Sequence, residues 1–536
     1  MGSTNFKITK LALALGVTLG LSGCFSDNDN NVEIKPPVVE PPTTVKVPVS
    51  DTKEALNFFV NATVIDASAS ELTVVENVTV KFFENGVAST NIVDVEGNEI
   101  AAEGITSETG SFTFNVKEDA EISEVTLIVS ATDYFNKSTI VDFGDKDAVV
   151  EALVSLAKKE ALVTAEKKVA ASAGKLAEAL ETGTEDGSVG IAVSTEVELQ
   201  DAEGNPISGE EVTVSVVTAP LSAEEGKASA SDIIPSGFQT VTNDDATKVA
   251  VPEAYFEVNM SAGETAIKKF GAPITLTTSV KGDYTQGDTL TVTSFNEDTG
   301  VWTKEANPAT IGAANELVFP ASFDVDHLTG FLLTSTTDSC DTPVTFTLAG
   351  GDVPKAGLFL QIDGLNKYPI KSQTATLIPQ AKLKAAGVTA DREYEIELFD
   401  RDGNAWAQPF STTICGGFEI TVVTPEIELV DAELPMSFSC SNAEVNDQLP
   451  LAGAVVSYRQ AGKVSQIASP STTAGTYDLN GLVSGKDYIV TVNTRIEGFT
   501  VEPFTITAGE AVTAQNFVRS NCVVEDKEVT GTGSGS

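Results

Sequence analysis

Histidine is almost missing from this chain of 536 residues: His327 is the only one. A Ser-His-Asp hydrolase would have to recruit that single ring, and no G-x-S-x-G elbow accompanies it. Cysteine is also scarce. None of the five falls in a CxxC, CxxH or CxxCH arrangement, which removes the usual thiolate zinc sites and haem attachment. Walker loops and HExxH are absent, so no cofactor and no metal are expected. A glycosidase needs only two carboxylates, but two tryptophans are too few for an aromatic sugar cleft. Basic residues number 33 against 77 acidic ones, a formal charge of −44 that repels nucleic acid and anionic lipid surfaces. The surplus acid reads as a solvated surface. Cation binding would require clustered oxygen ligands, and DRDGNAW (400–406) misplaces its glycine for an EF-hand loop and lacks a closing glutamate. A tight hairpin turn is expected there.

At the N-terminus, Lys7 and Lys10 precede the apolar run LALALGVTLG, which is too short to span a bilayer, and LSGC follows. This is the order of a secretory signal, here residues 1–23. Leu21, Ser22, Gly23 and Cys24 resemble the lipobox of bacterial lipoproteins. The resemblance implies cleavage before Cys24 and triple acylation of that residue, which anchors stably where one chain would not. It also implies the outer membrane, because Phe25 stands where an aspartate would signal inner-membrane retention. Removing the two lysines takes the charge from −44 to −46. Residues 24–52 read as a disordered tether, with polar SDNDNN followed by five prolines in KPPVVEPPTTVKVPV. Such a run favours polyproline II at about 3.1 Å per residue. Residues 528–536 read as a flexible tail.

Between them VTVKFF, VTLIVSA, VTVSVV, ITLTTSV, YEIELFD and YIVTVNT alternate apolar and polar residues, and EGNP, NEDTG and DGN punctuate them. The fold class is therefore all-β, a series of β-sandwiches. Four are expected, at 53–157, 158–335, 336–426 and 427–527. Residues 149–156 are read as a strand, while 158–185 leaves strand and amphipathic helix open, given the run LAKKEALVTAEKKVAASAGKLAEAL.

ENVTVKFFENG, TSETGSFTFNV and VTLIVSATDYFNKSTIVDF resemble carboxypeptidase regulatory-like domains, as do LAGAVVSYRQAGK and GTYDLNGLVSGKDYIVTV in the last unit. That likeness implies Ig-like or prealbumin-like sandwiches that serve as spacer or binding modules without catalytic residues. In the second unit Trp302, an apolar strand and DVDHLTGF (324–331) resemble ZU5 and GAIN sandwiches. In self-cleaving members of that class, the resemblance implies that His327 takes the hydroxyl proton of Thr329, which attacks the Leu328 carbonyl, with Gly330 permitting a sharp bend. The alternative is structural: a half-buried His327, with Leu328 and Phe331 on opposite sides of the last strand or its turn.

Cys340, Cys415, Cys440 and Cys522 lie near the two ends of the third and fourth units. Of three possible connectivities, 340 with 415 and 440 with 522 joins terminal strands within each unit, and export permits the bonds. The chain thus reads as a non-enzymatic outer-membrane lipoprotein, anchored at Cys24 and exposed at the cell surface, that adheres to a protein or glycan partner. Two rivals stand beside this: an envelope assembly factor binding a secreted protein by strand addition, and a self-cleaving protein cut between Leu328 and Thr329.

Overall fold

The computed structural model describes residues 43–529 apart from 70, 145, 147, 221–226, 243–244, 246, 315–317 and 366. Cys24, the leader and the first part of the tether lie outside the described residues. Contacts divide the chain into a terminal unit, Met1–Val45 with Asp526–Ser536, and a main unit, Lys46–Glu525. The main unit holds four β-sandwiches.

In the first sandwich one sheet runs in the order Val149–Leu156, Phe59–Asp66, Ser111–Val116 and Ile92–Val93. The opposing sheet is built on Val78–Glu84 and Glu124–Ser130. Alternation does the sorting: in Glu124–Ser130 the residues Val125, Leu127 and Val129 are buried and their neighbours are not. Phe59–Asp66 is instead buried at every position, its polar Asn61, Thr63 and Asp66 included, because both its faces are covered. The first and last strands pair in parallel, Phe59 opposite Val149. The same closure recurs in the third sandwich, where Phe346 stands opposite Phe418, and in the fourth, where Cys440 stands opposite Arg519.

The second sandwich differs. Its strands form one continuous sheet of 14, because Thr289–Asn296 pairs with Ala309–Ile311 at its start and with Gly330–Asp338 further along. That strand therefore passes from one layer to the other. The open stretch resolves as strand, since Val163–Ser172 pairs antiparallel with Glu211–Thr218 after a short 3-10 turn at Lys159–Ala161. The last strand runs to Asp338, beyond the boundary expected at 335.

One turn recurs in three sandwiches, in DVEGN (94–98), DAEGN (201–205) and DRDGN (400–404). In each, the first aspartate's Oδ1 accepts the backbone N–H of the asparagine four residues on, at 2.8 to 2.9 Å. The glycine takes φ of +98°, +88° and +87°, a region in which a Cβ would be strained. The sequence expectation of a hairpin turn at 400–406 describes this third copy, in which Phe399 bridges Ala405.

Two expectations at the chain ends need correction. Residues 43–52, read as disordered tether, include the strand Thr43–Pro48, which pairs with Val524–Val529 in a two-stranded ribbon. The alternation TTVKVP suits an edge strand despite its proline. Residues 528 and 529 likewise belong to that ribbon and not to a flexible tail. Within the main unit, Val49 donates to the Val523 carbonyl at 2.9 Å, and Arg519 reaches both oxygens of Asp51 at 2.6 and 2.8 Å.

The sandwiches are serial in sequence but packed together in space. Phe135 and Ala157 of the first share a core with Ile233, Tyr255 and Trp302 of the second. Phe59 and Val95 of the first pack on Val455 of the fourth, while Ile65 meets Phe359 of the third and Val464 of the fourth. Glu151 and Arg401, exposed by only 7% and 4%, form an ion pair at 2.5 Å between the first and third sandwiches. Arg495 of the fourth donates to the carbonyls of Val95 and Glu54 at 3.0 and 2.5 Å. Asn61 donates to the Ser465 carbonyl at 3.2 Å.

Candidate functional site

His327 ends the strand Val318–His327, which pairs with Lys269–Lys281 in one layer of the second sandwich. Gly330 begins the strand Gly330–Asp338, which pairs with Lys248–Ala262 in the other layer. Leu328 and Thr329 are thus the step between layers. Leu328 and Phe331 both enter the core between the sheets, which corrects the expectation that they would face opposite ways. The reason is the change of layer, which resets the alternation between them.

The three residues of the tripeptide are adjacent, but the geometry does not join base to nucleophile. The Thr329 hydroxyl donates to the Phe295 carbonyl. The His327 ring, 31% exposed, faces Asp326 Oδ1 at 3.1 Å through Nδ1 and Glu305 Oε1 at 3.5 Å through Nε2. The hydrogen bond to Glu305 raises the imidazole above its ordinary value, although burial opposes it. Gly330 is needed for space and not for a bend, since a Cβ there would sit 2.5 Å from the Tyr255 hydroxyl.

That hydroxyl donates to Glu257 Oε1 at 2.9 Å. Burial, reinforced by the nearby Glu297, pushes the Glu257 carboxyl up to about 8, so it is largely protonated at neutral pH. Lys268 lies 3.7 Å from Glu297. This carboxylate pair escapes the sequence because Glu257 and Glu297 are 40 positions apart on strands and turns of ordinary composition.

Cys340 is bonded to Cys415 at a sequence separation of 75, and Cys440 to Cys522 at a separation of 82. Each bridge ties the parallel first and last strands of its sandwich, just before those strands in the third, and in the fourth from the last residue of the first strand to a point just past the last strand. Among the described residues, no group of three or more His, Cys, Asp or Glu side chains could hold a metal ion. Among them, too, no helix is long and apolar enough to cross a membrane.

A cavity of about 770 Å³ opens where the first three sandwiches meet. Lys137 of the first and Lys367 of the third both line it. Lys137 donates to the Ser231 carbonyl at 3.2 Å and Lys367 to the Ser155 hydroxyl at 2.9 Å. Burial pulls the Lys137 ammonium down to about 8, and Lys367 also falls below its usual value for the same reason. Neither lysine was legible as a site residue. FNKSTIVDF and LNKYPI place them on strands where a lysine ordinarily faces water, and only another sandwich makes the cavity.

No family model matches the chain, and no curated protein matches it. Among solved structures it is similar to the minor pilin GBS52 of Streptococcus agalactiae, with 13% identity, 36% of this chain and 99% of that one covered, and a TM-score of 0.15. It is also similar to the major pilin SpaA of Corynebacterium diphtheriae, with 9% identity, 86% and 99% covered, and a TM-score of 0.15. The full-length major pilin RrgB of Streptococcus pneumoniae aligns at 11% identity over 88% of this chain and 68% of that one, with a TM-score of 0.14.

Proposed function

We propose that this chain is a lipid-anchored surface module of the bacterial outer membrane that binds a partner without catalysing a reaction on it. The observation that carries the reading is the union of the four sandwiches. Buried links such as Glu151 with Arg401, and Arg495 with the carbonyls of Glu54 and Val95, make the main unit a platform and not a string of beads. A platform holds loops of different sandwiches at fixed separations, which serves recognition of a partner larger than one loop. The lipobox at Cys24 supplies the attachment, and the two disulfides suit an oxidising compartment.

Cys24→Ala should move the chain from the membrane to the soluble fraction, and protease treatment of intact cells should digest the wild-type chain. A chain that resists shaving until the outer membrane is opened would move the function to the periplasm and favour the assembly-factor reading. The same preparation on a denaturing gel should run as one piece, in keeping with the separate engagements of His327 and Thr329. Two pieces meeting at Leu328 and Thr329 would make self-processing the primary account.

A further inference from the structure

We propose that the cavity between the first three sandwiches is a binding site for a small carboxylate-bearing ligand of acidic-sugar size, held by Lys137 and Lys367. The argument begins with the charges. Other cations on the cavity wall are already matched, Lys382 by Asp142 and Arg392 by Asp363. Among the described residues, Lys137 and Lys367 make no ion pair, and each has a single neutral hydrogen-bond acceptor. An ammonium can donate three hydrogen bonds, so each retains donors for a ligand.

Asp232 is the acidic group whose field reaches both lysines. Its Oδ2 is occupied, accepting the backbone N–H and the hydroxyl of Ser229 at 2.8 Å each. Both lysines are half-buried on the cavity wall, and two partly desolvated ammonium groups without a contacting counter-charge would gain from an anion between them. The overall charge of −44 does not forbid this, because at physiological ionic strength fields are screened over about 8 Å and the local lysines decide.

The size and the remaining lining choose among anions. A volume of about 770 Å³ exceeds the need of an inorganic ion and lies within the range of small-molecule pockets. Tyr368 supplies an aromatic side chain, and Gln361 and Ser236 supply groups that hydrogen-bond to hydroxyls. A sugar carrying a carboxylate matches all three kinds of group. This names a ligand for the module proposed above and rests on that reading only for where the ligand is met, so the test uses purified protein and stands apart from the fractionation.

Calorimetric titration of the purified full-length chain with galacturonate should show saturable binding at one site, and galactose, its uncharged counterpart, should show none. Lys137→Gln and Lys367→Gln should each weaken galacturonate by about tenfold or more, the loss of one charge-assisted contact. Both should fold, as a thermal melt would verify, because each replaces a half-buried ammonium that has no ion pair to lose by a neutral amide that can also donate. Lys304→Gln, an exposed change elsewhere on the second sandwich, should leave the affinity unchanged. Absence of galacturonate binding, or binding that survives both cavity substitutions, overturns the site. Sulfate that binds as tightly as galacturonate overturns the sugar-acid assignment.

Discussion

At the level of single residues, the second sandwich holds its proton-binding groups close to the layer-crossing step. Glu257 is raised to about 8 from an ordinary 4.5, so the folded protein keeps a proton that the unfolded chain gives up. Folding stability from this group is therefore fully present below about 4.5, falls as pH rises, and levels off above about 8. His327, also raised, acts in the same direction above its ordinary 6.5. Glu257→Gln keeps an acceptor for the Tyr255 hydroxyl but cannot ionise. It should match the wild type near pH 4.5 and become the more stable form by up to about 1.4 kcal/mol per pH unit until the gap saturates near 8. Denaturant titrations at several pH values measure that gap. A constant difference across the range would show that Glu257 is ionised in the folded protein.

Among the structural elements, the parallel pairs of first and last strands are where sequence order and spatial order meet. A parallel neighbour needs a long crossover, so each closure joins segments many tens of residues apart, and in two sandwiches a disulfide fixes it. For loops of 75 and 82 residues the chain-entropy model gives about 4.5 kcal/mol each as an upper figure. Replacing Cys440 and Cys522 together by serine should cost roughly 2–4 kcal/mol in a denaturant melt. Non-reducing peptide maps should join Cys340 to Cys415 and Cys440 to Cys522, and a peptide joining Cys415 to Cys440 would refute both pairs. Much at this scale was legible: VTLIVSA and YIVTVNT announce half-buried strands through their period of two. The layer switch within Thr289–Asn296 was not, because TLTVTSFN has the same alternation whichever neighbour it pairs with. The ambiguity at Val163–Ser172 has a similar cause. VTAEKKVAAS satisfies a helical period as well as a strand period, and pairing with Glu211–Thr218 decides between them.

For the molecule as a whole, packing between sandwiches was the least legible feature, since Glu151 and Arg401 lie 250 positions apart and nothing local marks them as partners. A glutamate in VVEALVSL and an arginine in a turn both read as solvent-facing. Arg401→Ala should cost about 3–5 kcal/mol, because it leaves Glu151 buried without its main counter-charge. Replacing both by leucine should cost much less, as no charge is then stranded. Equal losses in the two variants would mean that packing of Arg401 over Phe359, and not its charge, joins the sandwiches. The contact of the first sandwich with the fourth bears on the order of events during synthesis. A chain synthesised N-terminus first delivers Phe59, Ile65 and Val95 long before Val455 and Val464 arrive to cover them. The first sandwich must therefore wait with an apolar flank open for most of the time the polypeptide takes to emerge, and a nascent chain stalled ahead of residue 455 is the form most exposed to aggregation and most in need of a holding chaperone.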